Sequence, residues 1–333
     1  MATIDRPRTS GLTGLRLRPY AGEADLVHLV RLHNAEAEFD GLHQRTNLEE
    51  MAANVAHTSA AFDPSRDITI AELDGQVVGV ASREAIDTTD GFREYRLDGE
   101  VDPSFRRRGI GRTLLAENQR RQRELAATDG SSRTRIFGSW SNERQPGDVA
   151  LLESEGFKPA RYFFDMVRPD LADVPDVPLP EGLQIRPIDR SLARAVWDAD
   201  IEAFRDHWGG FDGSEENLQR WLDNPTTDLS LWVIAFDGDE VAGGVLNAID
   251  PDQNAALGLE RGWLSSVFTR RPWRRRGLAR ALIARSLVVH RDRGMTSAAL
   301  GVDADNPTGA FGLYERLGFA VDTRSTAWRK DFS

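Results

Sequence analysis

The chain contains no cysteine among its 333 residues. That absence excludes disulfides, thiolate metal sites and cysteine nucleophiles, so no acyl-cysteine intermediate can form. Lysine is nearly missing too: of 42 Lys and Arg residues, only Lys158 and Lys330 are lysines. Acidic residues outnumber basic ones and give a formal net charge of -11. Phosphate-backbone contacts require clustered cations, so no broad nucleic-acid surface is expected. No stretch reaches the ~18 uninterrupted apolar residues of a membrane span. Residues 1–14 lack the apolar centre of a secretory signal and read as a loose tail. The expected location is therefore the cytoplasm. The 6 histidines show no zinc-ligand spacing, and no metal is expected.

What the chain does have is length for two domains and an internal repeat. LRLRPY from Leu15 is matched by LQIRPI from Leu183. ITIAELDGQVVGVAS from Ile68 is matched by LWVIAFDGDEVAGGVLN from Leu231. RRRGIGRTLL from Arg106 is matched by RRRGLARALI from Arg274, and LLESEGF ending at Phe157 by LYERLGF ending at Phe319. The interval from Leu15 to Leu183 equals that from Gly109 to Gly277. Features in constant order at so long a period mean duplication of a whole domain, not a solenoid unit. A proline-rich stretch, RPDLADVPDVPLPEG from Arg168, has no amphipathic period and reads as a linker. The expected organisation is a domain over 15–168, a linker over 169–182 and a second domain over 183–333.

Each half opens with a short strand and an apolar-faced helix, then a hairpin turning at Asp74-Gly75 or Asp237-Gly238. A further strand leads into an arginine-glycine loop and an amphipathic helix. A strand, a helix and a final hairpin close the half. This order predicts a mixed α/β fold with a central sheet covered by helices. The loops read Arg106-Arg107-Arg108-Gly109-Ile110-Gly111 and Arg274-Arg275-Arg276-Gly277-Leu278-Ala279. Glycine allows close backbone approach, helix N-terminal N–H groups bind anions, and arginine adds charge-assisted contacts. Pyrophosphate binding is the chemistry suggested. No Gly-Lys-Ser/Thr of a Walker loop is present, and Gly109-Ile110-Gly111 runs on into Arg112, Thr113 and Leu114 without the third glycine of a dinucleotide fingerprint.

The order strand, Arg-x-x-Gly-x-Ala loop, helix, strand, Asp305-Asn306-Pro307, then Leu313-Tyr314-Glu315-Arg316-Leu317-Gly318-Phe319 resembles the GCN5-related N-acetyltransferase (GNAT) family. The resemblance covers both halves and is similar to the tandem-domain members. It implies two GNAT domains, acetyl-CoA as donor, a primary amine as acceptor, and a sheet splayed between its fourth and fifth strands. Position by position it implies pantetheine pairing along Val267, Phe268 and Thr269, and a pyrophosphate cradle over Arg274 to Ala279. It also implies a cofactor contact at Asn306, and Tyr314 as the acid that protonates the departing thiolate. A phenol keeps its proton at neutral pH and can donate it to sulfur.

The first half keeps the loop but has Leu152 where the second has Tyr314. Catalysis is therefore expected in the second half, with the loop from Arg106 to Gly111 a possible second cofactor site. The general base is left between Glu260, His207 and a water. The run Phe204-Arg205-Asp206-His207-Trp208 packs an acid, an imidazole and two aromatics where the family builds its acceptor site, making Phe204, Asp206, His207 and Trp208 substrate candidates. The acceptor is left among a small-molecule or peptide amine and an amino-sugar-derived thiol precursor. A catalytically silent acyl-CoA sensor is the reading outside enzymes. The protein is expected as a monomer or homodimer.

Overall fold

The computed structural model describes residues 12–56, 62–205, 207–209, 213–224, 226–306 and 309–332. The chain divides into two compact units, Met1–Ala160 with Thr326–Ser333, and Arg161–Ser325.

The first half of the chain runs β1 (Leu15–Pro19), α1 (Glu23–Phe39), α2 (Leu48–Ala56), α3 (Pro64–Asp67), β2 (Ile68–Leu73), β3 (Gln76–Asp87), β4 (Phe92–Val101), α4 (Ile110–Ala126), β5 (Thr134–Asn142), α5 (Pro146–Ser154) and β6 (Lys158–Arg168). The second runs β7 (Leu183–Arg186), α6 (Ala193–Phe204), α7 (Glu215–Asp223), β8 (Val233–Asp237), β9 (Glu240–Ile249), α8 (Pro251–Leu257), β10 (Arg261–Thr269), α9 (Leu278–Asp292), β11 (Ser297–Asp303), α10 (Ala310–Arg316) and β12 (Ala320–Asp331). The expected Asp-Gly hairpin turns close between Leu73 and Gln76, and between Asp237 and Glu240.

In the first unit the strand order is β1-β2-β3-β4-β5, followed by the C-terminal part of β12. In the second it is β7-β8-β9-β10-β11, followed by β6. Apolar side chains alternate across each sheet, so both faces are covered. In the first unit Ile68, Ile70 and Val80 pack under Leu29 and Leu32 of α1, while Ala71 and Ala81 pack against Ile110 and Leu114 of α4. In the second, Val196, Ala199 and Ala203 of α6 cover Ile234, Phe236 and Phe268. Leu278, Leu282 and Leu287 of α9 cover the other face at Val245, Leu264 and Leu300.

This division differs from the one expected at the linker. Residues 161–168 lie with the second unit, where β6 pairs antiparallel with β11 from Arg168↔Ala298 to Phe163↔Asp303 and buries Met166 completely. Residues 326–333 lie with the first, where Trp328 is buried against Phe137 and Leu152 and donates from Nε1 to Ser141 Oγ at 2.8 Å. The last strand of each half is too long for one hairpin, and its alternation serves whichever core receives it.

In each unit one parallel pair comes apart. β4 and β5 pair from Phe92↔Thr134 to Arg96↔Gly138 and no further, leaving Leu97 to Val101 diverging. β10 and β11 pair only from Arg261↔Ser297 to Trp263↔Ala299. Just past that point β10 carries a bulge between Leu264 and Ser266. The splay lets the helix after each loop point its first turn into the gap.

Candidate functional site

The two arginine-glycine loops have the same backbone. Arg107 and Arg275 sit at φ 64° and 63°, and Gly109 and Gly277 at 88° and 85°. Left-handed residues two apart, just before a helix N-terminus, are the kind of backbone that forms an anion-binding nest. Each glycine caps a helix without a side-chain bond, so the first-turn N–H groups of α4 and α9 stay available. Ile110 and Leu278, 1% exposed each, anchor the first turn in the core, while Gly111 and Ala279 follow on the helix. No atom lies within 4 Å of a Cβ built on Gly277, so the space before the loop is open.

The arginines divide their work. Arg274 donates from Nε to the Thr269 carbonyl at 2.9 Å and from Nη2 to the Ala203 carbonyl at 3.1 Å. Arg106 binds Asp40 through two 2.8 Å contacts and reaches the Val101 carbonyl at 3.4 Å. The first arginine of each triplet thus ties the loop to the end of the preceding strand. Arg107, Arg108, Arg275 and Arg276 are exposed at the mouth. Arg108 lies over the Phe105 ring at 5.0 Å, and Arg276 reaches the Glu181 carbonyl at 3.4 Å.

Val267, Phe268 and Thr269 pair with Val245, Gly244 and Gly243 of β9 on one edge, and their other edge faces the splay. Tyr314, on α10, is 6% exposed among Leu278, Leu300 and Leu317. Its ring meets Phe319 edge-on at 6.1 Å, and burial pushes the phenol up to about 12. Its hydroxyl makes no hydrogen bond among the described residues. Tyr314, Leu278 at the end of the loop and Val267 at the strand end share one core cluster. Asn306 follows β11 directly, its N–H bonded to the Asp303 carbonyl at 3.1 Å.

The base and substrate candidates are placed less uniformly. Glu260 is exposed and precedes β10, at the end where β10 and β11 still pair, so it is not brought to the splay. Its carbonyl accepts from the N–H groups of Thr296 and Ser297. The His207 ring lies tilted at 52° against that of Phe204, 4.3 Å between centroids, with the His207 backbone N–H bonded to the Phe204 carbonyl at 2.8 Å. Phe204 packs on the α6 core, and Trp208 lies 6.0 Å from the Phe163 ring. Asp206 lies outside the described residues.

Two features were not read from the sequence. The first is Asp200, 2% exposed on α6, which accepts from Ser266 Oγ at 2.7 Å. Burial raises its carboxyl to about 7, and no charged side chain offsets that burial. Ser266 stands beside the β10 bulge, at the root of the splay.

The second is a cavity of about 820 Å³ in the first unit, running from Gly109 and Arg107 past the splayed β4 to α1 and α2. Glu36, Asp98, Glu100 and Asp148 line it together with Arg83 and Arg106, and Arg106 pairs with Glu36 at 3.3 Å. Burial lifts Glu36 to about 8 and Asp98 and Asp148 to about 6, with neighbouring carboxylates adding to the rise and Arg106 and Arg96 opposing it. Leu152, in the place of Tyr314, is 4% exposed and packs in the core of this unit. The available signal was spacing: Asp98 stands as far ahead of Gly109 as Ser266 stands ahead of Gly277.

A family model described as "Acetyltransferase (GNAT) family" matches residues 193–319, and one described as "Acetyltransferase (GNAT) domain" matches residues 64–159. A mycothiol acetyltransferase of Geodermatophilus obscurus is 32% identical over 320 residues, covering 95% of this chain and 96% of that protein. One from Salinispora arenicola is 32% identical over 77% of this chain and 79% of its own. Among solved structures, a GCN5-related N-acetyltransferase from Sphaerobacter thermophilus superposes with a TM-score of 0.71 at 25% identity over 96% of both chains. A tandem GNAT protein from the clavulanic acid biosynthesis pathway shares the fold, with a TM-score of 0.69 at 18% identity over 96% of this chain and 99% of that one.

Proposed function

The chain belongs to the GNAT family of acetyltransferases, and from that premise we propose that it moves an acetyl group from acetyl-CoA to a primary amine in its second unit. The observation that carries this reading is Tyr314: a phenol 6% exposed, with no hydrogen-bond partner for its hydroxyl among the described residues, in the same core cluster as Leu278 of α9. A phenol whose ring is packed while its hydroxyl is left without a protein partner is available to a ligand. The cradle fits the donor: the nest at Arg275 to Gly277 takes the pyrophosphate, and the free edge of Val267 to Thr269 takes the pantetheine amides. Bound there, acetyl-CoA supplies the activated thioester. No helix among the described residues is long and apolar enough to cross a membrane. The family-wide use of acetyl-CoA and the acidic balance of the chain fit a cytoplasmic enzyme acting on a small amine.

The protein's own groups then move two protons. Ser266 Oγ, at the root of the splay, accepts the proton the amine loses and passes its own to Asp200. Asp200 acts through Ser266 as a positioning and proton-holding residue; its carboxyl, near 7, is ionised in time to receive that proton. The new C–N bond forms as the C–S bond breaks, with the carbonyl oxygen held by a β10 N–H near Val267. Tyr314 Oη, protonated at neutral pH, donates to the leaving sulfur.

A second reading of the acceptor follows from the named relatives: a mycothiol precursor rather than a simple amine. Its support is the 32% identity across 95% of the chain. Tyr314→Phe removes only the hydroxyl and is expected to lower turnover about 100-fold with the melting temperature unchanged, since acid catalysis contributes on the order of 10² or more. Release of CoA is the assay, run with thiol-bearing and plain amines in parallel. Unchanged turnover in Tyr314→Phe sinks the acid role, and CoA release with no amine sinks transfer.

A further inference from the structure

In the second unit the end of β10, Val267 to Thr269, pairs with β9 on one edge and has parted from β11 on the other. A strand end held on one edge needs a second support. Helix α6 supplies it from the face of the sheet, on both sides of the free segment. Before the segment, Asp200 accepts from Ser266 Oγ at 2.7 Å. After it, Arg270 donates from Nε to Glu202 Oε2 at 2.8 Å and from Nη1 to the Val241 carbonyl at 2.9 Å. Arg274 reaches the Ala203 carbonyl at 3.1 Å. The Arg270 guanidinium also lies over the Trp273 ring at 5.2 Å, which restricts its orientation.

The first unit builds the same support with its charges reversed. Asp102 stands as far ahead of Gly109 as Arg270 stands ahead of Gly277. Asp102 pairs with Arg31 of α1 at 2.5 Å, and Arg31 also donates to the Val77 carbonyl at 2.6 Å. Val77 and Val241 are each the second residue of the strand that follows the Asp-Gly turn. In both units, then, one arginine joins the first long helix, the chain just past the splayed strand and the same carbonyl. It comes from the helix in one unit and from beyond the strand in the other. These pairs are partly exposed, and partly exposed pairs contribute little to stability. An incidental pair has no reason to recur inverted with the same third partner, whereas a spacer works in either polarity.

We propose that Glu202 and Arg270 are positioning residues. Their bridge sets the distance between α6 and the free edge of Val267 to Thr269, and so aligns the Asp200–Ser266 pair with that edge. The functional part of the proposal rests on the reading of this edge as the acetyl-CoA site.

The test exchanges the charges. Glu202→Arg sets two cations together, and Glu202→Ala removes the pair without repulsion. Glu202→Arg/Arg270→Asp keeps the net charge and gives the second unit the polarity of the first. Hydrogen exchange of the full chain without cofactor is expected to quicken over 266–269 in Glu202→Arg, less so in Glu202→Ala, and to return to the parent's rate in the double variant. The amides of Leu282 and Leu287 on α9 should not change in any of them. Calorimetric titration with CoA should show affinity at least about 10-fold weaker in Glu202→Arg and within about 2-fold of the parent in the double variant. The added positive charge of Glu202→Arg would by itself favour an anionic ligand, so weakening runs against simple electrostatics. The proposal is overturned by exchange over 266–269 that both single variants leave unchanged, by a double variant no better than Glu202→Arg, or by quickened exchange with CoA affinity intact. Failure of the acetyl-CoA reading looks different: the parent then shows no CoA binding that Gly277→Ala weakens, and the exchange rates alone decide whether the pair positions the strand.

Discussion

Asp200→Asn is expected to make the second unit more stable and the enzyme slower. Asp200 is 2% exposed, and its carboxyl is raised from an ordinary value of 3.8 to about 7. The folded group binds its proton more tightly than the unfolded one, so ionisation opposes folding. The penalty is absent below about pH 4, grows with pH, and is complete above about pH 7. At 1.36 kcal/mol per unit, the cost is about 4 kcal/mol at pH 8 and about 1.5 kcal/mol at pH 5. Asparagine is uncharged, keeps the shape and can still accept from Ser266 Oγ. The variant should therefore gain about 4 kcal/mol at pH 8, which in a unit of this size raises its melting temperature by on the order of 10 °C. Denaturant unfolding at the two pH values, followed by tryptophan fluorescence, measures it. CoA release should fall about 100-fold, and the rise of the parent's rate through pH 7 should disappear. A stability difference that is the same at pH 5 and pH 8, or a loss of stability in the variant, refutes the reasoning.

Gly277→Ala should fold, because no atom blocks its Cβ, at a cost of about 1 kcal/mol for a left-handed alanine at φ 85°. The added methyl narrows the approach to the nest, and the KM for acetyl-CoA should rise at least 10-fold in steady-state assays. Trp328→Ala, near the C-terminus, should destabilise the first unit by about 3–5 kcal/mol, since it empties a core site and removes the bond to Ser141. Hydrogen exchange at Tyr95 and Phe137 should accelerate, whereas the amides of Leu282 and Leu287 should stay protected.

The loops were legible because a repeated glycine before an amphipathic helix leaves few alternatives. Their second arginines were not: arginine rarely adopts positive φ, yet Arg107 and Arg275 do, as neighbours in a nest. Spacing also could not separate the arginine that faces solvent from the one that ties the strand end, since both are read only as charge. The exchange of the last strands was hidden for a related reason. The alternation in β6 and β12 specifies which side chains are buried, not which sheet receives them. Asp200 in AVWDADIEAF reads as a polar position on a helix, and Asp98 in LDGEVD as a solvated strand end. Their importance comes from what packs around them, which is tertiary information.

Positions 98 and 266, and 152 and 314, separate what duplication held fixed from what it left free. The backbone of the two nests is the same, but the side chains around them support different chemistry. A phenol that must keep its proton needs the apolar setting of Leu278, Leu300 and Leu317, while the cleft of the first unit is lined by acids and arginines together. Restoring one group should therefore not restore the other's function. In a Tyr314→Phe background, Leu152→Tyr puts a phenol at the matching position of the first unit, against Leu115, Phe137 and Trp328. The added bulk should cost about 1–3 kcal/mol by overpacking. Turnover should stay at the Tyr314→Phe level, because the first unit has Asp98 where the second has Ser266 and so lacks the proposed Ser266–Asp200 proton path. A gain in CoA release that required both Tyr at 152 and the amine would show instead that the first unit lacks only its acid.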